Sequence, residues 1–178
     1  MSNVIALLES KLNEKRLNFT KKPILIGGMA MEYYGLRKSG ADIDLVVSDE
    51  DYQALALAYP NNRKDIWADL GVVLEPFEIW RSIKLLDYDF YIRDAIDEKI
   101  AYVVSLDRLT LMRIFAMDIP KYMDDLKMIK DYYYKAINNP EFAKVQEEHF
   151  SLYKNVGGVV WGGKYTETVD DKETSHKN

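Results

Sequence analysis

Two aspartates two residues apart, Asp42 and Asp44, open the apolar run Leu45-Val46-Val47. Residues i and i+2 of a strand point to the same face, so a strand over 42–48 turns both carboxylates one way. Carboxylates this close repel when both are ionised, which raises one pKa unless a cation is near. Oxygen-only donors suit Mg2+, which keeps several waters and shares its site with phosphate oxygens. Upstream, Pro23-Ile24-Leu25-Ile26 runs into Gly27-Gly28. A glycine pair between a strand and a helix offers backbone N–H groups with no side chain blocking the approach, and this favours an anion. Arg37 and Lys38 lie between the two devices and add positive charge. Taken singly, each feature is ordinary: a turn, a solvated strand edge, a solvated basic pair. Together they describe a site for a nucleoside triphosphate with a divalent metal.

Periodicity supplies the elements that must position these groups. Val4, Ile5, Leu7, Leu8, Leu12 and Leu17 recur at helical spacing and predict an amphipathic helix over about 3–17. Ile24-Leu25-Ile26 is too short for a helix and reads as a buried strand. Met29 to Tyr34 forms a short helix ended by Gly35. Asp49-Glu50-Asp51 opens another helix, which Pro60-Asn61-Asn62 breaks. Short strands are expected at 71–74 and 101–104. A longer one over 83–92 sets Ile83, Leu85, Asp87, Asp89 and Tyr91 on one face. From Ser105, an N-cap, the period becomes helical through Phe115. Pro120 suits the first turn of a helix over 120–137, and Pro140 begins another to about Lys154. Val159-Val160-Trp161 is a short apolar piece between glycine pairs, expected to pack back on the domain.

The expected class is α+β, a mixed β-sheet flanked by helices with a C-terminal helical segment. The expected division is a core over 1–118, a helical extension over 119–163, and a disordered polar tail over 164–178.

Bulk composition narrows the function. The 178 residues carry a net charge of −5, so a basic surface for sequence-independent DNA coating is not expected. The absence of Cys excludes disulfides, thiolate metal sites and cysteine nucleophiles. His149 and His176 are the only histidines, too few for a His-rich metal site, and His149 has no carboxylate neighbours that would make it catalytic. No apolar run approaches the roughly 18 residues of a membrane span. With no signal-peptide pattern at the N-terminus, a cytoplasmic location and no membrane partner are expected.

The stretch Gly27-Gly28 through Gly35-Leu36-Arg37, Ser39 and Asp42-Ile43-Asp44-Leu45-Val46 resembles the signature of the DNA polymerase β-like nucleotidyltransferases. Within that superfamily it is most similar to bacterial minimal nucleotidyltransferases, including AbiEii-type toxins and lincosamide and aminoglycoside nucleotidyltransferases. The likeness covers about residues 22–130. It implies the nucleotidyltransferase fold, two Mg2+ ions, and transfer of a nucleoside monophosphate from an NTP, ATP for example, to a hydroxyl acceptor with release of pyrophosphate. It implies that Gly27, Gly28, Arg37, Lys38 and Ser39 meet the nucleotide and that Asp42 and Asp44 hold metal. It asks for a third carboxylate from a later strand, which holds the ion that activates the hydroxyl and also accepts the hydroxyl proton. Asp87 and Asp89 are the candidates, with Asp89 favoured because it opens the apolar run Phe90-Tyr91-Ile92. Arg113 stands where AbiEii-like chains carry a Lys, and Tyr122 stands where they carry an Asp. Arg113 would meet the triphosphate or else pair with Asp125 on a helix surface.

The acceptor, whether small molecule, tRNA end or protein, stays open, as does an RNA or protein partner. The competing class is a non-catalytic or toxin–antitoxin nucleotide-binding module that keeps the fold for binding. A nucleotide sensor would bind NTP without turnover. Tyr132-Tyr133-Tyr134 would stack a base or, more simply, divide between core and surface. Trp67, Trp80 and Trp161 are read as packing anchors.

Overall fold

The computed structural model describes residues 3–66 and 69–137 and the isolated positions 144, 147 and 148. The chain divides into a unit Met1–Tyr132 and a unit Tyr133–Asn178, and the site described below lies in the first. The predicted helix after Pro140, the Val159-Val160-Trp161 piece, the tail, Trp67, His149 and His176 fall outside the described residues.

Nine short strands and six α-helices make a mixed α+β protein among the described residues. The sheet strands are β1 (Ile24–Leu25), β2 (Ile43–Val46), β3 (Arg63–Ile66), β4 (Asp69–Leu74) and β5 (Phe77–Trp80), followed by β6 (Ser82–Ile83), β7 (Leu86–Asp87), β8 (Ile96–Asp97) and β9 (Tyr102–Val103). Seven of them form one sheet in the order β3-β4-β5-β2-β1-β9-β8, while β6 and β7 form a separate hairpin. β2 runs parallel to β5 and antiparallel to β1, and β1 runs parallel to β9, so the sheet is mixed. Ile24 and Leu25 are fully buried in the middle of it, as a continuous apolar pair requires. On β5 the alternation is plain: Phe77 and Ile79 are buried in the core while Glu78 turns to the other face.

The helices are α1 (Asn3–Lys15), α2 (Gly27–Tyr33), α3 (Asp49–Ala58), α4 (Tyr88–Tyr91), α5 (Leu106–Ile114) and α6 (Pro120–Ile137). α1 buries Val4, Ile5, Leu8 and Leu12, the stripe expected from its spacing. Ser48 and Ser105 cap α3 and α5 by accepting from the backbone N–H groups of Asp51 and Arg108. No helix among the described residues is long and apolar enough to cross a membrane.

The chain departs from expectation at two places near the site. The predicted strand over 83–92 is instead the β6–β7 hairpin followed by α4. Lys84 and Leu85 turn the chain back at φ 54 and 63, and the Asp69 carboxylate accepts from both of their N–H groups at 2.6 and 2.8 Å. Asp87 then caps α4, accepting from Phe90 N at 3.1 Å. Asp87 and Asp89 therefore do not share a strand face, because Asp89 lies in the first turn of a helix. Local side-chain capping overrides an alternation that reads as extended. The second departure is Asp42, which precedes β2 rather than lying in it. β3, β5 and β8 were not foreseen.

Candidate active site

Asp44 is the half-buried acid on the otherwise apolar β2. Its register partner on the parallel strand β5 is Glu78. Residues paired in register share a face, so a carboxylate from each strand stands on the same side of the sheet. Burial is the main force holding the Asp44 carboxyl above its ordinary value, and the negative charges of Glu78 and Asp42 add to it. Arg113 and Lys121 pull the other way.

Gly27 is what lets Asp44 sit where it does. Its φ is +65, and a Cβ there would overlap the Asp44 Oδ2 and its neighbouring atoms. Only glycine admits both that conformation and that approach. The backbone link is tight as well, since Ile26 N–H donates to Asp44 O at 3.1 Å. α2 starts at Gly27, and no side chain caps its N-terminus. Gly28 is different: a Cβ there would meet Arg37 Nη1 and Gly40 N at 3.7 Å, ordinary contact.

Glu78 is not free. Lys64 on β3 donates to its Oε1 at 2.8 Å, and the same ammonium lies 5.4 Å from the centre of the Trp80 ring. Trp80 lies against Gly71, where any Cβ would collide with the indole at 2.7 Å. Lys64, Gly71 and Trp80 are register partners across β3, β4 and β5. One sheet face thus carries Asp44, Glu78, Trp80 and the lysine that bridges two of them.

Above this face lies a buried cationic cluster. Asp125 of α6 is 1% exposed and accepts from Arg37 Nε at 2.6 Å and from Arg37 Nη2 at 3.0 Å. Arg113 Nε stands 2.9 Å from Asp125 Oδ2, close enough for charge pairing. The angle is wrong for a hydrogen bond, and that Nε has no hydrogen-bond acceptor among the described residues. The Arg113 guanidinium lies 4.6 Å over the Tyr122 ring. Burial pulls Arg113 below its ordinary value, whereas the hydrogen bond that Arg37 donates to Asp125 holds Arg37 above its own. Both guanidiniums remain charged at neutral pH.

Of these groups, Gly27, Asp44, Trp80, Arg113 and Tyr122 line a cleft of about 620 Å3. Ile83, Lys84, Leu85 and Leu86 of the β6–β7 hairpin line it as well. This volume is in the range of small-molecule sites.

The sequence-derived candidates are distributed unevenly. Gly27, Asp44 and Arg113 come together in the cleft. Asp42 is exposed and lines a separate depression with Ser39 and Glu75. Arg37 is committed to Asp125. Lys38 and Ser39 are committed to Glu32, whose Oε2 accepts from Ser39 N and Oγ at 2.8 and 2.6 Å. The alternative of a helix-surface pair between Arg113 and Asp125 is corrected by their burial at 5% and 1% exposure. Asp87 and Asp89 are exposed and belong to the hairpin and α4, not to the sheet that carries Asp44.

Glu78, Lys64, Asp69 and Lys121 were missed. Glu78 had a signal: a lone acid in Phe77-Glu78-Ile79-Trp80, an apolar run just after a proline. Lys64 had none, because a neighbour across a strand pair is invisible without the register, and Asp69 and Lys121 meet their partners only through the hairpin turn and the packing of α6.

Among the described residues, no three His, Cys, Asp or Glu side chains converge so as to hold a metal ion. The donors near Asp44 are nonetheless all carboxylate oxygens, the hard type that Mg2+ takes one or two at a time with water and phosphate. No protein-family model matches the chain, and no curated protein matches it.

Proposed function

We propose that the protein is a Mg2+-dependent nucleotidyltransferase that moves a nucleoside monophosphate from an NTP to a hydroxyl. The observation carrying this reading is the pairing of Asp44 with Glu78 across parallel strands, with the Gly27 backbone pressed against the Asp44 carboxylate. The donor set fits a hard divalent cation, which would sit at Asp44 and Glu78 and supply neutralisation of phosphate charge. Glu78 takes the place of Asp87 and Asp89 as the third-acid candidate.

The chain's own residues have distinct tasks in this reading. The uncapped first N–H groups of α2 face the phosphates. Arg113, desolvated and backed by the Tyr122 ring, offsets charge that develops on them. Asp125 fixes both arginines. The acceptor oxygen forms a bond to the α-phosphorus as the bond to pyrophosphate breaks. The bonding pair leaves with pyrophosphate, and the hydroxyl proton passes to a carboxylate of the Asp44–Glu78 pair.

A binding module without turnover is the second reading. It is favoured by the internal commitment of Arg37, Lys38 and Ser39. The deciding experiment incubates purified protein, Mg2+ and labelled NTPs with a cell-extract acceptor pool. Label transfer that Asp44→Asn and Glu78→Gln abolish supports the enzyme. NTP binding by wild type and both variants, without transfer by any of them, supports the module.

A further inference from the structure

The cleft that holds Asp44 is lined largely by apolar side chains. Leu85, Phe115, Ile119 and Ile66 all line it, and they are 68, 51, 47 and 41% exposed. Large apolar side chains gathered around one concavity, rather than scattered, mark a binding surface.

Leu85 is the telling residue. It sits second in a two-residue hairpin loop whose two residues both have positive φ, at 54 and 63. Such a turn favours Asn and Gly, since a branched side chain is strained there. The chain instead keeps a leucine and secures the turn with the Asp69 carboxylate on the N–H groups of Lys84 and Leu85. Folding gains nothing from leaving that side chain in solvent. The half-exposed ring of Phe115 lines the same cleft.

The charge of the cleft limits the class of ligand it can take. The cations lining it are Arg113, tied to Asp125, and Lys84. That is too little positive charge for a polynucleotide, whose binding rests on phosphate neutralisation.

We propose that the apolar lining of the cleft holds the aromatic body of a small-molecule acceptor, gripped by Leu85 and Phe115 with its hydroxyl directed toward Asp44. This rests on the nucleotidyl-transfer reading. The acceptor oxygen gains the nucleotidyl group, loses its proton to the carboxylate pair, and pyrophosphate departs. The flat group packs against the Phe115 ring and the branched aliphatics, as aromatic ligands do.

The test uses the full chain and the fluorescent probe 8-anilinonaphthalene-1-sulfonate, an aromatic body with one anionic group. Leu85→Asp and Phe115→Asp are compared with Leu57→Asp, an exposed leucine outside the cleft. Circular dichroism checks that each variant is folded. Wild type binds the probe, the two cleft variants weaken it about tenfold or more, and Leu57→Asp leaves it unchanged. Equal probe binding by all four proteins, or none by wild type, overturns the site. ATP–Mg2+ and tripolyphosphate–Mg2+ are then titrated against the bound probe. The acceptor assignment expects ATP to displace no more probe than tripolyphosphate does. Greater displacement by ATP gives the apolar lining to the nucleobase and overturns the assignment. Calorimetry with ATP–Mg2+ alone separates the two levels: no binding there removes the transfer reading and with it the acceptor role, whatever the probe does.

Discussion

Asp44 and Glu78 are register partners on parallel strands, one half-buried among apolar neighbours and the other held by Lys64. The two acids therefore differ in environment although they share a face. Burial raises the Asp44 carboxyl, and the charge of Glu78 raises it further.

That relationship makes Asp44 a liability to stability. A carboxyl raised in the folded state binds its proton more tightly there than in the unfolded chain. Stability is then greatest below the ordinary value of 3.8 and falls as pH rises through the raised value. Asp44→Asn is expected to melt higher than wild type at pH 7 while losing nucleotide transfer. The gain should vanish as pH is lowered past the ordinary carboxylate range. Thermal melts across pH measure this, and a lower melting temperature for the variant at pH 7 would contradict it.

Lys64 competes with any cation for Glu78. Lys64→Met keeps the aliphatic stem over Trp80 and removes the ammonium. The variant should bind Mg2+ more tightly than wild type, read as a larger Mg2+-induced rise in melting temperature. An unchanged or smaller rise counts against an ion at Glu78.

The two glycines should behave unlike each other. Gly27→Ala combines positive φ with overlap of Asp44, and its expected cost is about 1–3 kcal/mol or more. Gly28→Ala meets only ordinary contacts and should stay within about 1 kcal/mol of wild type. Urea denaturation of both variants gives the comparison.

Removing the Asp125 carboxylate leaves two guanidiniums, one of them buried, without their shared anion. Asp125→Ala should cost about 3–5 kcal/mol. The double variant Asp125→Ala with Arg113→Met should recover part of that loss, because no uncompensated charge remains at position 113. Additive losses in the double-mutant cycle would deny the coupling.

Glu32 offers the opposite pH sign to Asp44. The Lys38 ammonium, the Ser39 hydroxyl and the Ser39 N–H push it down to about 2 from an ordinary 4.5. Its contribution is present above the ordinary value and is lost as pH falls toward 2. Glu32→Gln should therefore be less stable than wild type at pH 7, and the difference should close in acid. A gap that persists at pH 2 would place its cause elsewhere.

Local pattern was enough for several elements. The stripe of Val4, Ile5, Leu8 and Leu12, the cap at Ser105 and the start of α6 at Pro120 are all readable from spacing and turn chemistry. So was the sequence Ile24 to Val46, a strand, a glycine-led helix and a second strand that carries Asp44. Its physical causes lie within a few residues of one another, in hydrophobic period and glycine freedom. The tertiary structure alone decided which charges meet. Register brought Glu78, far along the chain, beside Asp44, and the packing of α6 took Arg37 for Asp125. The Asp69 carboxylate folded back a segment whose alternation reads as a strand. These outcomes depend on contacts between distant residues, whose partners no local period encodes, so the sequence by itself named Asp44 and only the fold set Glu78 beside it.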